Sequence, residues 1–105
     1  MPEILDPIAE RELEAEAAGG EVRPVVARFG RPERDPAPGG DWQCAFQITG
    51  LGEDDVEYAF GVDSVQALQL AFQAVGARLF AAGGPGRSIT WLSMSNLGFP
   101  MPPKG

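Results

Sequence analysis

Large apolar and small or polar residues alternate in two consecutive stretches of this chain. In residues 41–49 one parity is occupied by Trp42, Cys44, Phe46 and Ile48, and the other by Gln43, Ala45, Gln47 and Thr49. Residues 56–62 repeat the alternation, with Tyr58 and Phe60 on the apolar parity. A period of two predicts strands, each with one apolar face. Two such strands in succession predict an antiparallel pair that is covered on one side.

Residues 8–16, IAERELEAE, fit both a helix and a strand. Ala, Glu and Leu favour helix intrinsically, whereas the strict alternation of glutamates with other residues is typical of a strand. The following AAGGE is typical of a tight turn, and residues 22–29 are rich in β-branched side chains. A hairpin explains both features, so we predict a strand here, with Pro24 at a sheet edge or bulge because proline donates no ladder hydrogen bond. We predict a loop for residues 30–41.

A long helix is predicted for residues 63–82, with Asp63 or Ser64 as the N-cap and Gly83 and Gly84 ending it. One apolar stripe recurs at steps of three and four: Val65, Leu68, Phe72, Val75 and Leu79. We expect this stripe to cover the apolar strand faces, including Tyr58 and Phe60. With a short last strand in SITWLS, the prediction is a two-layer α+β fold. It has an antiparallel sheet of four to five strands, one helix on one face and an order close to ββββαβ. Residues 1–105 form one domain in this reading, with poorly ordered ends at 1–7 and 101–105.

A second run on the same helix is made mostly of small residues, and it comprises Ala67, Leu70, Ala74, Ala77 and Ala81. Its three-four stepping resembles a heptad seam on which another helix could pack. The alternative is that the chain covers this run itself, with the tail around Leu97, Phe99 and Met101 or with the first hairpin. The second candidate interface is the other sheet face, which carries Gln43, Gln47 and Thr49.

Charge is strongly negative, at −7, and it is uneven. Residues 1–21 carry seven acids and one arginine. Such a balance argues against binding nucleic acid or an anionic membrane surface.

The N-terminus has neither the basic start nor the apolar run of a signal peptide. A lone cysteine, Cys44, fits a reducing compartment, so we expect a cytoplasmic protein.

The chain contains no histidine. Ser-His-Asp and Cys-His catalysis and histidine-containing metal sites are therefore excluded. We expect no cofactor and no metal: the acids between Glu53 and Glu57 lack the ligand spacing of a calcium loop, and Cys44 is expected to be an inert buried thiol. The remaining candidates for binding an anion are Arg28, Arg31 and Arg34, which could equally pair with the protein's own acids.

The segment GVDSVQALQLAF, residues 61–72, resembles a family of short bacterial proteins known as a domain of unknown function. Supporting segments occur in the family's order: IAERELE (8–14), RFGRP (28–32), DWQC (41–44), YAFGVDSVQAL (58–68), ITWL (89–92) and LGFP (97–100). The resemblance covers most of the chain. It implies a compact α+β domain and no known activity or catalytic residues.

The leading functional hypothesis is a non-enzymatic protein-interaction module that forms a homodimer. One alternative is an enzyme without histidine, using Arg28, Arg31 and Asp41. Another is a binder of a different protein, in the manner of an immunity or antitoxin factor, which rests on size and charge alone. A pocket that joins the arginines would favour the enzyme.

Overall fold

The computed structural model describes residues 4, 6–37 and 39–100. In this part of the chain six strands and one helix are formed. They are β1 (Ala9–Ala17), β2 (Val22–Phe29), β3 (Glu33–Arg34), β4 (Trp42–Thr49), β5 (Glu57–Gly61), α1 (Ser64–Ala82) and β6 (Arg87–Thr90). The antiparallel sheet with one helix packed on it confirms the predicted α+β class. The predicted loop over residues 30–41 was wrong at β3, which pairs with Trp42 and Gln43 of β4.

The strands lie in the order β5-β4-β2-β1-β6, all antiparallel. β4 pairs with β5 along one side, and with β2 and then β3 along the other. Strands β5 and β6 are consequently the two edges of the sheet. Hairpins connect β1 to β2 and β4 to β5, whereas α1 carries the chain from one edge to the other.

The segment IAERELEAE is a strand, as predicted, because β1 completes the hairpin with β2. Its side chains alternate between the two faces, and Leu13 and Ala15 lie in the core. Pro24 pairs with Glu14 of β1, while β4 begins to pair with β2 only at Val26. Proline therefore sits where β2 has a single neighbouring strand, which confirms its edge position.

The helix has the predicted bounds and caps. Asp63 is extended (φ −144°), and its carboxylate accepts a hydrogen bond of 2.8 Å from the Gln66 backbone N–H. Gly83 donates its own N–H to the carbonyl of Leu79 at the other end. These contacts satisfy backbone groups that a helix end leaves unpaired.

The side of β5 that faces the helix was predicted wrongly. Tyr58 and Phe60 point away from α1 and are 53% and 58% exposed, whereas Ala59 and Gly61 are buried beneath the helix. A Cβ atom at Gly61 would lie 2.5 Å from the Ala67 backbone nitrogen, so only small residues fit between these two elements. Close approach of the backbones thus decided the orientation of β5, against the preference of large apolar side chains for the core.

The core lies between the sheet and the helix, and the predicted stripe forms only part of it. Val75 and Leu79 are buried, Leu68 and Phe72 are partly buried, but Val65 is 60% exposed. The helix instead buries a face rotated toward β5, made by Ala67, Ala71, Val75, Gly76 and Leu79. Phe29 of β2 anchors the centre, with its ring 4.6 Å from that of Phe72 in an edge-to-face arrangement.

The C-terminal tail packs beside the helix. Phe99 lies over Gly76, where an added Cβ would be 3.0 Å from the Phe99 Cβ, and its ring lies 6.0 Å from that of Phe29. The Arg11 guanidinium stacks 3.9 Å from the Trp91 ring centroid and donates a 3.0 Å hydrogen bond to the Leu97 carbonyl. Arg11 therefore connects β1 to the C-terminal tail. Predicted disorder at 1–7 and 101–105 falls largely outside the described residues.

Candidate functional site

The predicted helical seam is divided by the fold. Ala67 is fully buried against β5, so its assignment to an open interface was wrong. Ala74 is half-buried, Leu70 is 37% exposed, and Ala77 and Ala81 are exposed. The tail, expected as the alternative cover, contacts Gly76 instead, on a different side of the helix.

The exposed part of the seam faces the β5 edge of the molecule. Arg78 reaches from α1 to Glu57 of β5 and forms an ion pair with it. Gly76 lies two positions earlier, about 200° around the helix, and meets the tail. The flank of α1 that carries Leu70, Ala74 and Ala77 therefore lies on the same side as β5, away from the tail.

The β5 edge itself is apolar and open. Beyond Tyr58 and Phe60 the chain continues into Val62 and Val65, which are 77% and 60% exposed. Asp63 is the one charged residue between positions 58 and 77. We name Tyr58, Phe60 and Val62 the β5 rim. An exposed run of large apolar side chains on an edge strand is a common feature of protein interfaces.

The sequence did not identify the β5 rim, but it contained a signal. Ala59 and Gly61 share the parity opposite to Tyr58 and Phe60. Small residues at alternate positions in a strand that runs directly into a helix are typical of close backbone approach. Giving this signal more weight than side-chain size would have assigned Ala59 and Gly61, instead of Tyr58 and Phe60, to the side of β5 that faces the helix.

The sheet face opposite α1 is only partly available. Gln47 was predicted as an interface residue, but it is 1% exposed, so this prediction was wrong. Its amide donates a 2.7 Å hydrogen bond to the Asp54 carbonyl, and its oxygen accepts one of 3.3 Å from the Ile4 backbone. Ile4 and the loop after β4 thus both contact Gln47. Gln43 and Thr49 are half-buried.

The three candidate anion-binding arginines have different surroundings. Arg28 forms an ion pair with Glu10 (2.7 Å) and donates a 3.3 Å hydrogen bond to Thr49. Arg31 and Arg34 are exposed, one following β2 and the other in β3. Arg28 thus pairs with one of the protein's own acids, as the alternative prediction had it. Asp41 is exposed in the loop before β4.

Among the described residues, three surface grooves are lined by residues other than these arginines and Asp41. The largest, about 940 Å³, lies on the face opposite α1 over β1 and β2. A second, of about 670 Å³, lies between α1, β6 and the tail, with Leu79, Ile89 and Phe99 in its lining. The third, about 360 Å³, places Glu53, Asp55 and Glu57 near Arg78. Within the described residues no group of three acids or cysteines is close enough to hold a metal ion.

Cys44 lies inside the core. Its side chain is fully buried, and the thiol donates to the Gly30 carbonyl at 3.4 Å. Burial raises the pKa of the Cys44 thiol above its ordinary value, since a thiolate is poorly solvated in apolar surroundings. The thiol is consequently protonated and inaccessible, which is the opposite of what a cysteine nucleophile requires.

Comparison with known families gives one match. A family model described as a domain of unknown function (DUF6968) matches residues 9–101. The chain belongs to this family. The DUF6968 match starts at the first residue of β1 and extends past β6 through the tail that packs on α1. No curated protein and no solved structure matches the chain. No helix in the described ranges is long and apolar enough to cross a membrane.

Proposed function

We propose that the protein is a non-enzymatic protein-interaction module that self-associates through the β5 rim and the neighbouring flank of α1. The observation that carries this proposal is the exposure of Tyr58 and Phe60 on the edge strand β5 and of Val62 just after it, each more than half accessible. A contiguous patch of exposed large apolar side chains is typical of an interaction surface, whereas isolated exposed ones are ordinary.

Charge supports a second copy as the occupant. Copies of a chain with net charge −7 repel each other over most of their surfaces. The region from position 58 to position 77 is weakly charged, because Asp63 is its only charge. The acid that starts β5, Glu57, is neutralised within its own chain by Arg78. Charge repulsion therefore opposes self-association only weakly at this edge.

The geometry suits a two-fold axis. Antiparallel pairing of β5 with its copy about Ala59 would set Tyr58 of one chain opposite Phe60 of the other, on the face away from the helices. Aromatic cross-strand pairs stabilise sheets. Each five-residue strand is short, and stable dimers bury roughly 800 Å² per partner. Contact between the α1 flanks, where Ala74 and Ala77 permit close approach, would add the remaining area.

The enzyme alternative has less support. Arg28 is engaged by Glu10 and Thr49, while Arg31 and Asp41 are exposed on separate loops. The three grooves described above are lined by other residues. A site built on these three side chains would need them to converge.

The test is molar mass in solution by light scattering at several concentrations. We expect twice the monomer mass of 11.1 kDa for the native chain, and the monomer mass for Phe60→Lys and for Ala74→Glu. Val22→Lys is the matched control for Phe60→Lys. Val22 is 52% exposed and lies away from β5, and its replacement by lysine adds the same charge. A native chain that is monomeric throughout, or two lysine variants with equal masses, would refute the proposal.

A further inference from the structure

The open face of β1 carries a row of acids. Glu12, Glu14 and Glu16 point away from α1, on the parity opposite to the buried Leu13 and Ala15. Alternate residues of a strand lie about 6.8 Å apart, so the three carboxylates form a regular line along the sheet. All three residues are exposed.

An apolar row runs directly beside the acids. The register pairs Glu12 with Val26, Glu14 with Pro24 and Glu16 with Val22. On the other flank Thr90 and Ser88 of β6 lie opposite Glu14 and Glu16. The 940 Å³ groove lies over this region, and exposed Leu92 borders it. We call Glu12, Glu14, Glu16, Val22, Pro24 and Val26 the acidic–apolar face.

The acids of this face have no counter-charge within the described part of the chain. Three ion pairs form there, and they engage Glu10, Glu21 and Glu57. The nearby cations have other partners: Arg23 of β2 pairs with Glu21, and Arg28 is held by Glu10 and Thr49. Arg11 of β1 stacks on Trp91. Glu12, Glu14 and Glu16 are therefore available to a positively charged partner.

The fold places these glutamates against local preference. Glu is depleted in strands, and like charges close together on one face destabilise a sheet. The segment also contains strong helix formers, yet it is held as a strand. Conflicts between local preference and structure concentrate at functional sites.

We infer that the acidic–apolar face binds a basic amphipathic helix of another protein. Lys or Arg side chains four residues apart on a helix rise about 6 Å along its axis, close to the spacing of the glutamates. Apolar side chains on the adjoining helix face would cover Val22, Pro24 and Val26. Nucleic acid and anionic membranes would be repelled by the same carboxylates.

The probe is a synthetic helical peptide with Lys at every fourth position and Leu along the adjoining face. A peptide of identical composition, with Lys and Leu scrambled around the helix, is the control. Binding is measured by isothermal titration calorimetry against the full chain. We expect about tenfold tighter binding of the patterned peptide, because it alone matches both rows. Equal affinity for the two peptides would overturn the inference.

Protein variants then locate the site. The triple variant Glu12→Gln, Glu14→Gln, Glu16→Gln should weaken binding about tenfold or more. A matched triple variant, Glu33→Gln, Glu53→Gln, Asp55→Asn, removes the same charge elsewhere and should change the affinity less than about threefold. Equal loss in both triples would mean that binding follows net charge alone, and would refute the assigned face. Circular dichroism is used to check that each variant is folded.

The apolar row is tested without changing charge. Val22→Asn should weaken binding of the patterned peptide, whereas Val62→Asn, an exposed valine on the β5 rim, should not. Phe60→Lys should bind the peptide as the native chain does, since the face lies on other strands and does not depend on self-association. Loss of binding in the Val62 variant instead would place the peptide on the β5 rim and overturn the assignment.

Discussion

Gly61 and Ala67 bring β5 and α1 together more closely than any larger residue would permit. A Cβ atom on Gly61 would lie 2.5 Å from the Ala67 backbone nitrogen and 2.9 Å from the carbonyl carbon of Gln66. Ala67 itself is fully buried. This contact holds the small parity of β5 against the helix and leaves Tyr58 and Phe60 outside, where they form the proposed interface.

Gly61→Ala is expected to destabilise the fold. The added methyl group would meet backbone atoms, which cannot move aside as a flexible side chain can, so the helix must shift. Overpacking of this kind lowers the free energy of unfolding by about 1–3 kcal/mol, measured by urea denaturation. Gly19→Ala is the control, because nothing lies within 4 Å of its added Cβ. Equal effects of the two changes would contradict the close packing.

Arg11 is expected to hold the tail against β1. Its guanidinium stacks on Trp91 and on Phe99, 4.9 Å from the second ring centroid, and it donates to the Leu97 carbonyl. Arg11→Ala should lower the free energy of unfolding by about 1–2 kcal/mol and accelerate chymotrypsin cleavage in the tail. Arg31→Ala, at an exposed arginine, should leave both unchanged. A tail that is cleaved at the native rate in Arg11→Ala would disprove this role.

Cys44 is expected to make stability fall at alkaline pH. Because the pKa of the buried thiol is raised, the unfolded chain releases this proton near the ordinary value of 9.0 while the folded chain keeps it. The contribution of the Cys44 thiol to the free energy of unfolding is therefore constant below pH 9.0. Above this pH, stability falls as the pH rises toward the pKa of the thiol in the folded chain. The loss should be smaller in Cys44→Ala, compared by urea denaturation at pH values on both sides of 9.0.

The same thiol should react with a disulfide reagent only when the chain opens. The rate of this reaction should therefore increase with the concentration of added denaturant. A rapid reaction of the folded protein would show that the thiol is accessible.

Glu14→Thr is expected to stabilise the protein. Threonine suits a strand better than glutamate does, and the change removes one charge between Glu12 and Glu16. A gain of about 0.5–1 kcal/mol in the free energy of unfolding is expected. Glu53→Thr, which removes the same charge from a loop, should have a smaller effect. A loss of stability in Glu14→Thr would show that the acidic row supports the fold.

Local patterns were sufficient for most elements. The alternation in 41–49 predicted β4, the capping residues predicted both ends of α1, and the turn AAGGE with its flanking segments predicted the β1–β2 hairpin. Each of these features depends on neighbours in sequence, through side-chain parity, backbone capping or turn chemistry. Sequence reasoning also found Cys44 on the core face.

What remained depended on contacts between distant segments. Parity showed that β5 has two different faces, but it did not show which face meets the helix. The sequence by itself determined the elements other than β3, the absence of histidine and the uneven charge. The tertiary structure alone decided that Gln47 is buried, that Ala67 belongs to the core and that Tyr58 and Phe60 are exposed. The physical reason is that how closely two elements pack depends on the backbones and side chains of both, and residues distant in sequence supply them.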